Sequence, residues 1–294
     1  MNGFRSGTVG LVGRPNTGKS SLLNRLVGQK LAIVSPREQT TRHLLTGILT
    51  TVDCQYAFVD SPGFQTRHRN LLNRSLNRRA GEAARDVDVV AFVLEALHLD
   101  AADRAALAKV PQGMPLVAVV NKVDLVRPAV KLLPFLERVA RERQFDAIVP
   151  VSASTGRNVP ELLRVLRERL PESAAHYPVD QLTDRDERFF AAELLREKIF
   201  RLLGEELPYR CEAMIDSFRE EGRLRRVEAT LWVERDSHKP IVIGAQGATL
   251  KRISTEARKD MEQLFGGKVF LQVWVKVRRS WTDDARMLRE LGYA

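Results

Sequence analysis

Gly13-Arg-Pro-Asn-Thr-Gly-Lys-Ser20 follows the apolar run Thr8–Val12 and opens the helical pattern Lys19–Gly28. The spacing is GxxxxGK[ST], and a strand before it with a helix after it is the setting in which this motif cradles phosphate. The loop Gly13, Arg14, Pro15, Asn16, Thr17 and Gly18, with Lys19, Ser20 and Ser21 at the helix start, lets backbone N–H groups converge at the positive end of a helix. Lys19 is expected on the β- and γ-phosphates and the Ser20 hydroxyl on Mg²⁺. Such a loop calls for a nucleoside triphosphate without naming its base.

Three later segments name it. Asp60-Ser-Pro-Gly63 ends a predicted strand, where Asp60 can hold the Mg²⁺ shell through water and the Gly63 N–H can meet a γ-phosphate. Asn121-Lys122-Val-Asp124 follows the run Pro115–Val120. A carboxylate at Asp124 can accept from guanine N1–H and the 2-amino group together; adenine has neither donor and would leave it unpaired. Ser152-Ala153-Ser154 follows the last strand, where a backbone N–H can meet guanine O6. All of these lie at strand C-terminal ends, in order, where open α/β sheets bind ligands.

The rest of the first 170 residues alternates short apolar runs with helical patterns, as βα units do. Strands are predicted at Thr8–Val12, His43–Val52, Gln55–Asp60, Val87–Leu94, Pro115–Val120 and Ala147–Val151. Helices are predicted at Lys19–Gly28, Leu71–Arg85, Ala101–Lys109, Ala129–Arg143 and Val159–Leu170. Two residues between the second and third strands are too few for a parallel crossover, so that pair is antiparallel and the sheet mixed, mostly parallel. Residues 171–188 hold Pro171 and Pro178 without periodicity and read as a linker. From residue 189 to 294 the order becomes helix (Phe189–Leu203), strands (Arg210–Phe218 and Leu224–Glu234), helix–turn–helix ending in Ala248–Phe265, a strand (Lys268–Val277), and a last helix from Thr282. That order suggests a smaller α+β domain.

Its turn carries Gly244-Ala245-Gln246-Gly247. A GxxG loop between helices can clamp a nucleic-acid backbone, with Lys251 and Arg252 one turn further on. Ile241, Val242, Ile243, Leu250 and Ile253 read mostly as core. So do Trp232 and Trp274, while Trp281 fits either core or a stacking platform.

Composition bounds the remainder. The 294 residues hold 44% hydrophobic and 29% charged residues, which excludes wholesale disorder. Two cysteines exclude a disulfide framework. No apolar stretch approaches the ~20 residues of a membrane span, and the first 13 residues lack a signal-peptide pattern. The expectation is a cytoplasmic protein. The net charge of +10 invites a polyanion; the excess lies in the first half, where Arg67, Arg69, Arg74, Arg78, Arg79 and Arg85 follow DSPG.

The segments GRPNTGKSSLLN, QTTRH (Gln39–His43), DSPG, NKVD and VSAS are similar to those of the Era family, bacterial GTPases of ribosome assembly. The second half agrees, through Tyr177–Tyr209 and the VIGAQGATLKRI loop. The resemblance implies an α/β chain with a P-loop GTPase domain at 1–170 and a type II KH domain at 189–294. It implies GTP and GDP as ligands, Mg²⁺ held by Ser20, Thr41 and Asp60, and switch segments at Thr40-Thr41 and at Asp60 to about Arg79. Lys19, Thr41 and Gly63 become the catalytic contacts. It further implies binding of the 3′ end of 16S rRNA, a role in 30S subunit biogenesis, action as a monomer, and some peripheral association with the inner membrane. Phe64 stands where Ras-type proteins carry a water-orienting glutamine, with Gln65 as a substitute candidate; related GTPases lacking the glutamine use an Asn at the position of Asn16 to bind K⁺. The alternative is a membrane-surface or other RNA-associated GTPase whose second domain serves a different partner.

Overall fold

The computed structural model describes residues 3–35, 37, 39–64, 70–204 and 206–293. Gln65, Arg67 and Arg69 lie outside them, as do two positions of the 35–42 loop. Residues 1–69 and 73–184 form one compact unit, and residues 70–72 with 185–294 form a second.

In the first unit the strands are β1 (Arg5–Val12), β2 (Leu45–Thr50), β3 (Cys54–Asp60), β4 (Val89–Glu95), β5 (Leu116–Asn121) and β6 (Ala147–Pro150). They form one sheet in the order β2-β3-β1-β4-β5-β6. Only β2 runs antiparallel, against β3, as the two-residue gap requires. The second strand is shorter than predicted because Thr51 turns the chain: its N–H donates to the Cys54 carbonyl (2.8 Å) and its hydroxyl to Asp53 (3.0 Å). β4 and β5 are covered on both faces and nearly every residue in them is buried, which is why they read as unbroken apolar runs.

The helices are α1 (Lys19–Val27), α2 (Leu71–Glu82), α3 (Ala101–Leu107), α4 (Leu132–Glu142) and α5 (Val159–Arg167). α3 starts at a reciprocal capping box, Asp100 with Asp103. α4 begins later than predicted, since residues 129–131 form a 3₁₀ turn after Pro128.

Residues 171–184 run along this sheet. The Ser6 N–H donates to the Pro171 carbonyl (3.2 Å) and the Ile48 N–H to the Leu182 carbonyl (2.8 Å). Buried Gln55 accepts from the N–H groups of His176 and Tyr177 (2.7 and 2.9 Å) and donates to the Tyr177 carbonyl (2.8 Å). The segment therefore covers the open edge of β2, which would otherwise offer unpaired backbone groups.

The second unit holds α6 (Glu187–Leu202), β7 (Cys211–Glu221), β8 (Leu224–Val233), α7 (His238–Ile243), α8 (Ala248–Phe265), β9 (Lys268–Val277) and α9 (Ala285–Glu290). Its sheet has the order β7-β8-β9, antiparallel then parallel. The last helix starts at Ala285 instead of Thr282, because residues 281–283 form a 3₁₀ turn and Asp284 caps the helix. Along α6 even charged residues are buried. Arg196 donates to Glu193 (2.7 Å), and the Tyr293 hydroxyl donates to Glu212 (2.6 Å). Trp281 is fully buried, its indole N–H donating to the Arg210 carbonyl (3.1 Å).

Candidate nucleotide site and nucleic-acid loop

The loop from Gly13 to Gly18 joins β1 to α1, with Gly18 at φ 94° and Asn16 at φ 63°, both left-handed. Lys19 folds back over it, donating from Nζ to the carbonyls of Arg14 (2.8 Å) and Gly13 (3.2 Å). Burial draws the Lys19 ammonium down to about 8, partly opposed by the Asp60 charge. Burial also pushes the Asp60 carboxyl up to about 6, against the hydrogen bond from Ser20 and the charge of Lys19. Both shifts share one cause, a charged group kept from water. Each group partly offsets the other's cost, and a bound Mg²⁺–triphosphate would add further counter-charge, anionic at Lys19 and cationic at Asp60.

Mg²⁺ fits the oxygens present. The Ser20 hydroxyl donates to Asp60 Oδ2 (2.6 Å) and lies 2.7 Å from the Thr41 hydroxyl. Asp60 Oδ1 is buried with no hydrogen-bond partner among the described residues, an acceptor suited to a water of a metal shell. Thr40 points elsewhere, its hydroxyl donating to the Arg37 carbonyl (2.7 Å).

Gly63 lies against the phosphate loop. A Cβ built there would stand 2.5 Å from the Pro15 nitrogen and 2.8 Å from its Cα, so only glycine permits this approach. Phe64, next along, is buried in the first unit's core with the Lys109 ammonium 4.2 Å from its ring centre. Its apolar ring has no group to orient water.

The base-recognition half is tied to the phosphate half through Asn121. Its amide donates to the Thr17 carbonyl (2.9 Å), and its oxygen accepts from the Ala153 N–H (2.9 Å). That N–H therefore reaches a guanine O6 only as a shared donor. Asp124 is held below the usual carboxylate range by the hydroxyl of Ser152 first and by that of Ser154 as well (3.2 Å). It stays ionised as a two-oxygen acceptor. Ser21 sits in the first turn of α1, half-buried.

Two acids that gave no signal in the sequence complete the site. Glu95, at the end of β4, is 2.9 Å from Lys122 Nζ and 3.6 Å from Arg14. Fully buried Asp103 accepts from Arg14 Nε (3.0 Å). Lys122 belongs to the base segment and Arg14 to the phosphate loop, so Glu95 links the two.

In the second unit, Gly244 closes α7 at φ 76°, ψ 173°, residues 245–247 form a 3₁₀ turn, and Gly247 (φ 79°) opens α8. A Cβ at Gly244 would meet the Thr249 backbone nitrogen at 2.8 Å, whereas one at Gly247 would meet nothing within 4 Å. The first glycine is thus demanded by packing, and the second leaves open surface beside free helix-terminal N–H groups. Ala245, Gln246, Lys251 and Arg252 are exposed; Arg252 pairs with Glu256 on its own helix (2.9 Å), a contact worth ~1 kcal/mol or less. Val242 and Ile253 are core as expected, but Ile241 is exposed beside the loop. Trp274 also departs from expectation: it is 39% exposed, because its strand turns that position away from the helices.

Residues 8–122 match the family described as 50S ribosome-binding GTPase, and residues 206–282 match the KH domain family. The chain is 50% identical over 292 residues to GTPase Era of Nitrosomonas eutropha, covering 99% of both chains. It is likewise 50% identical to GTPase Era of Chromobacterium violaceum, covering 98% of both. The chain belongs to the Era family of GTPases. Among solved Era structures, one in complex with MgGDPNP and nucleotides 1506–1542 of 16S ribosomal RNA superposes with a TM-score of 0.96. It is 33% identical and covered over 99% of both chains. A substituted Era of Aquifex aeolicus bound to GDP·AlF4⁻ gives a TM-score of 0.95 at 33% identity, covering 99% of this chain and 100% of that one.

Proposed function

We propose that this Era-family GTPase is a Mg²⁺-dependent switch whose second unit binds the 3′ end of 16S rRNA and serves 30S subunit biogenesis. The observation that carries the reading is the pairing, in one chain, of the Ser20–Thr41–Asp60 oxygen cluster with an exposed Gly244–Gly247 loop. The Era structure at 33% identity holds both a magnesium nucleotide and small-subunit RNA, which favours the small subunit over the large.

In this reading Gly13 to Ser21 bind the phosphates. Asn121, Lys122, Asp124, Ser152 and Ala153 bind guanine. Gly244, Ala245, Gln246, Gly247, Lys251 and Arg252 bind RNA. Bound Mg²⁺ would neutralise charge on the β- and γ-phosphates. Lys19 holds the same phosphate oxygens, and Thr41 and Gly63 sense the γ-phosphate, so its loss frees both switch segments. With Phe64 buried, no glutamine-type side chain positions the attacking water at that place, and intrinsic hydrolysis is slow. Asn16, exposed at the loop's tip, is proposed to help hold K⁺ there; equal turnover in K⁺ and Na⁺ would refute that part.

The protein acts as a cytoplasmic monomer. No helix among the described residues is long and apolar enough to cross a membrane; peripheral contact of the basic surface with the inner membrane is part of this proposal. Sedimentation with anionic vesicles tests it. The reading as a whole is tested by turnover of GTP against ATP and by titration of 3′-tail and scrambled oligoribonucleotides. Equal turnover of both nucleotides, or equal affinity for both RNAs, would overturn it.

A further inference from the structure

β9 is an edge strand of the second unit's sheet. Val269 and Val275 point under the helices and are buried, while Lys268, Phe270, Gln272, Trp274 and Lys276 alternate with them and are exposed. Phe270 and Trp274 keep 44% and 39% of their surface open, and two large rings exposed on one face are an informative departure from packing norms. In the register, Arg226, Thr230 and Trp232 of β8 stand beside Phe270, Trp274 and Lys276, so they share that face, where buried Thr230 donates to the exposed Asp216 of β7 (2.7 Å). The Arg226 guanidinium lies 4.8 Å from the Phe270 ring centre, and the Lys276 ammonium 5.8 Å from that of Trp232. Glu228 opposes this charge from β8, and Glu221, 3.2 Å from Arg226, opposes it from β7. The strip along β9 itself is aromatic and basic with no acid.

The pattern favours a nucleic acid over a protein. Lysine is depleted from the cores of protein–protein interfaces, yet here lysines bracket the two rings. Open sheets bearing strand aromatics stack single-stranded bases in this manner, with sequence-tolerant affinity. The rings stand four positions apart, about 13 Å along the strand, and Gln272 between them offers an amide to a base edge.

We propose that the exposed strip along β9 is a second surface for single-stranded RNA, with bases stacked on Phe270 and Trp274 and phosphates paired with Lys268, Arg226 and Lys276. The inference rests on the RNA-binding reading of the Gly244–Gly247 loop and extends it. Since α7 and α8 both pack on β9, a strand leaving that loop rounds one edge strand to reach the other face.

The test uses the full chain and labelled oligoribonucleotides of about four and about twenty nucleotides from the 16S 3′ end; a GxxG loop clamps about four. Trp274→Ala and Phe270→Ala should each weaken the long RNA about 5- to 100-fold and leave the short one unchanged. Trp274→Phe should restore binding, and Lys276→Glu should weaken the long RNA without touching a ring. Gly247→Asp should weaken both RNAs, and its failure to do so would sink the loop reading separately. Long-RNA affinity unchanged in both alanine variants and in Lys276→Glu would overturn the proposal. Equal loss for both lengths would mean damage to the fold, and would overturn it too.

Discussion

Asp60 is held at a cost that the nucleotide-free protein bears and that Mg²⁺ relieves. Its carboxyl is pushed from an ordinary 3.8 to about 6 by burial. About two pKa units correspond to ~3 kcal/mol against the charged form. The sign follows from proton binding: between these values the folded protein holds a proton that the unfolded chain releases. Acidification from pH 7 through 6 to 4 therefore stabilises the metal-free fold through this group. Asp60→Asn keeps an oxygen to accept from Ser20 while removing the charge. In EDTA, without nucleotide, the variant should be more stable than the parent by up to ~3 kcal/mol at pH 8. That gap should shrink as pH falls through 6 and close near 4. With Mg²⁺–GTP the order reverses, because only the parent keeps a full partner for the metal shell. Urea unfolding of both proteins at pH 4.5, 6 and 8 measures the gap, and nucleotide with or without Mg²⁺ measures the reversal. A variant less stable than the parent at pH 8 in EDTA, or a gap independent of pH, would refute the reasoning.

Other outcomes follow from the same geometry. Asp124→Asn replaces a two-oxygen acceptor with an amide, so GTP affinity should fall by ~10²-fold or more. Xanthosine triphosphate, which carries an oxygen where guanine has its 2-amino group, should recover much of it in a competition assay. Gly63→Ala places a Cβ 2.5 Å from the Pro15 nitrogen; GDP affinity should survive within a few fold while single-turnover GTP hydrolysis collapses. Glu95→Gln removes the charge between Lys122 and Arg14 and should weaken GTP and GDP alike by about five- to twentyfold, or ~1–2 kcal/mol. Calorimetry showing loss for GTP alone would contradict the bridging role.

Much of the fold was legible because local chemistry dictated it. The runs Val89–Leu94 and Leu116–Val120 are unbroken because both sheet faces are covered, and the short gap before Cys54 forced an antiparallel pair. Residues 171–184 were opaque: they bind the sheet through backbone groups and the buried amide of Gln55, neither of which leaves a hydrophobic period. Trp274 shows a different limit. Alternation in a strand says that two faces differ, but not which one the helices cover. In the candidate site, the phosphate and base segments were readable because each is contiguous. Glu95 and Asp103 were not, since their partner Arg14 lies 81 and 89 positions away and single acids at those spacings carry no pattern. Phe64 was readable as unable to position water; that it packs beneath Lys109 was not.

The proposed switch requires that the nucleotide state of the first unit govern RNA binding by the second. Its most direct test is the affinity of the full chain for labelled 16S 3′-tail RNA at fixed salt, measured with a non-hydrolysable GTP analogue and then with GDP. The account predicts tight binding with the analogue, weaker binding with GDP, and loss of both in Gly247→Asp. Equal affinity in the two nucleotide states would contradict it, leaving a GTPase and an RNA-binding unit joined in one chain without a switch between them.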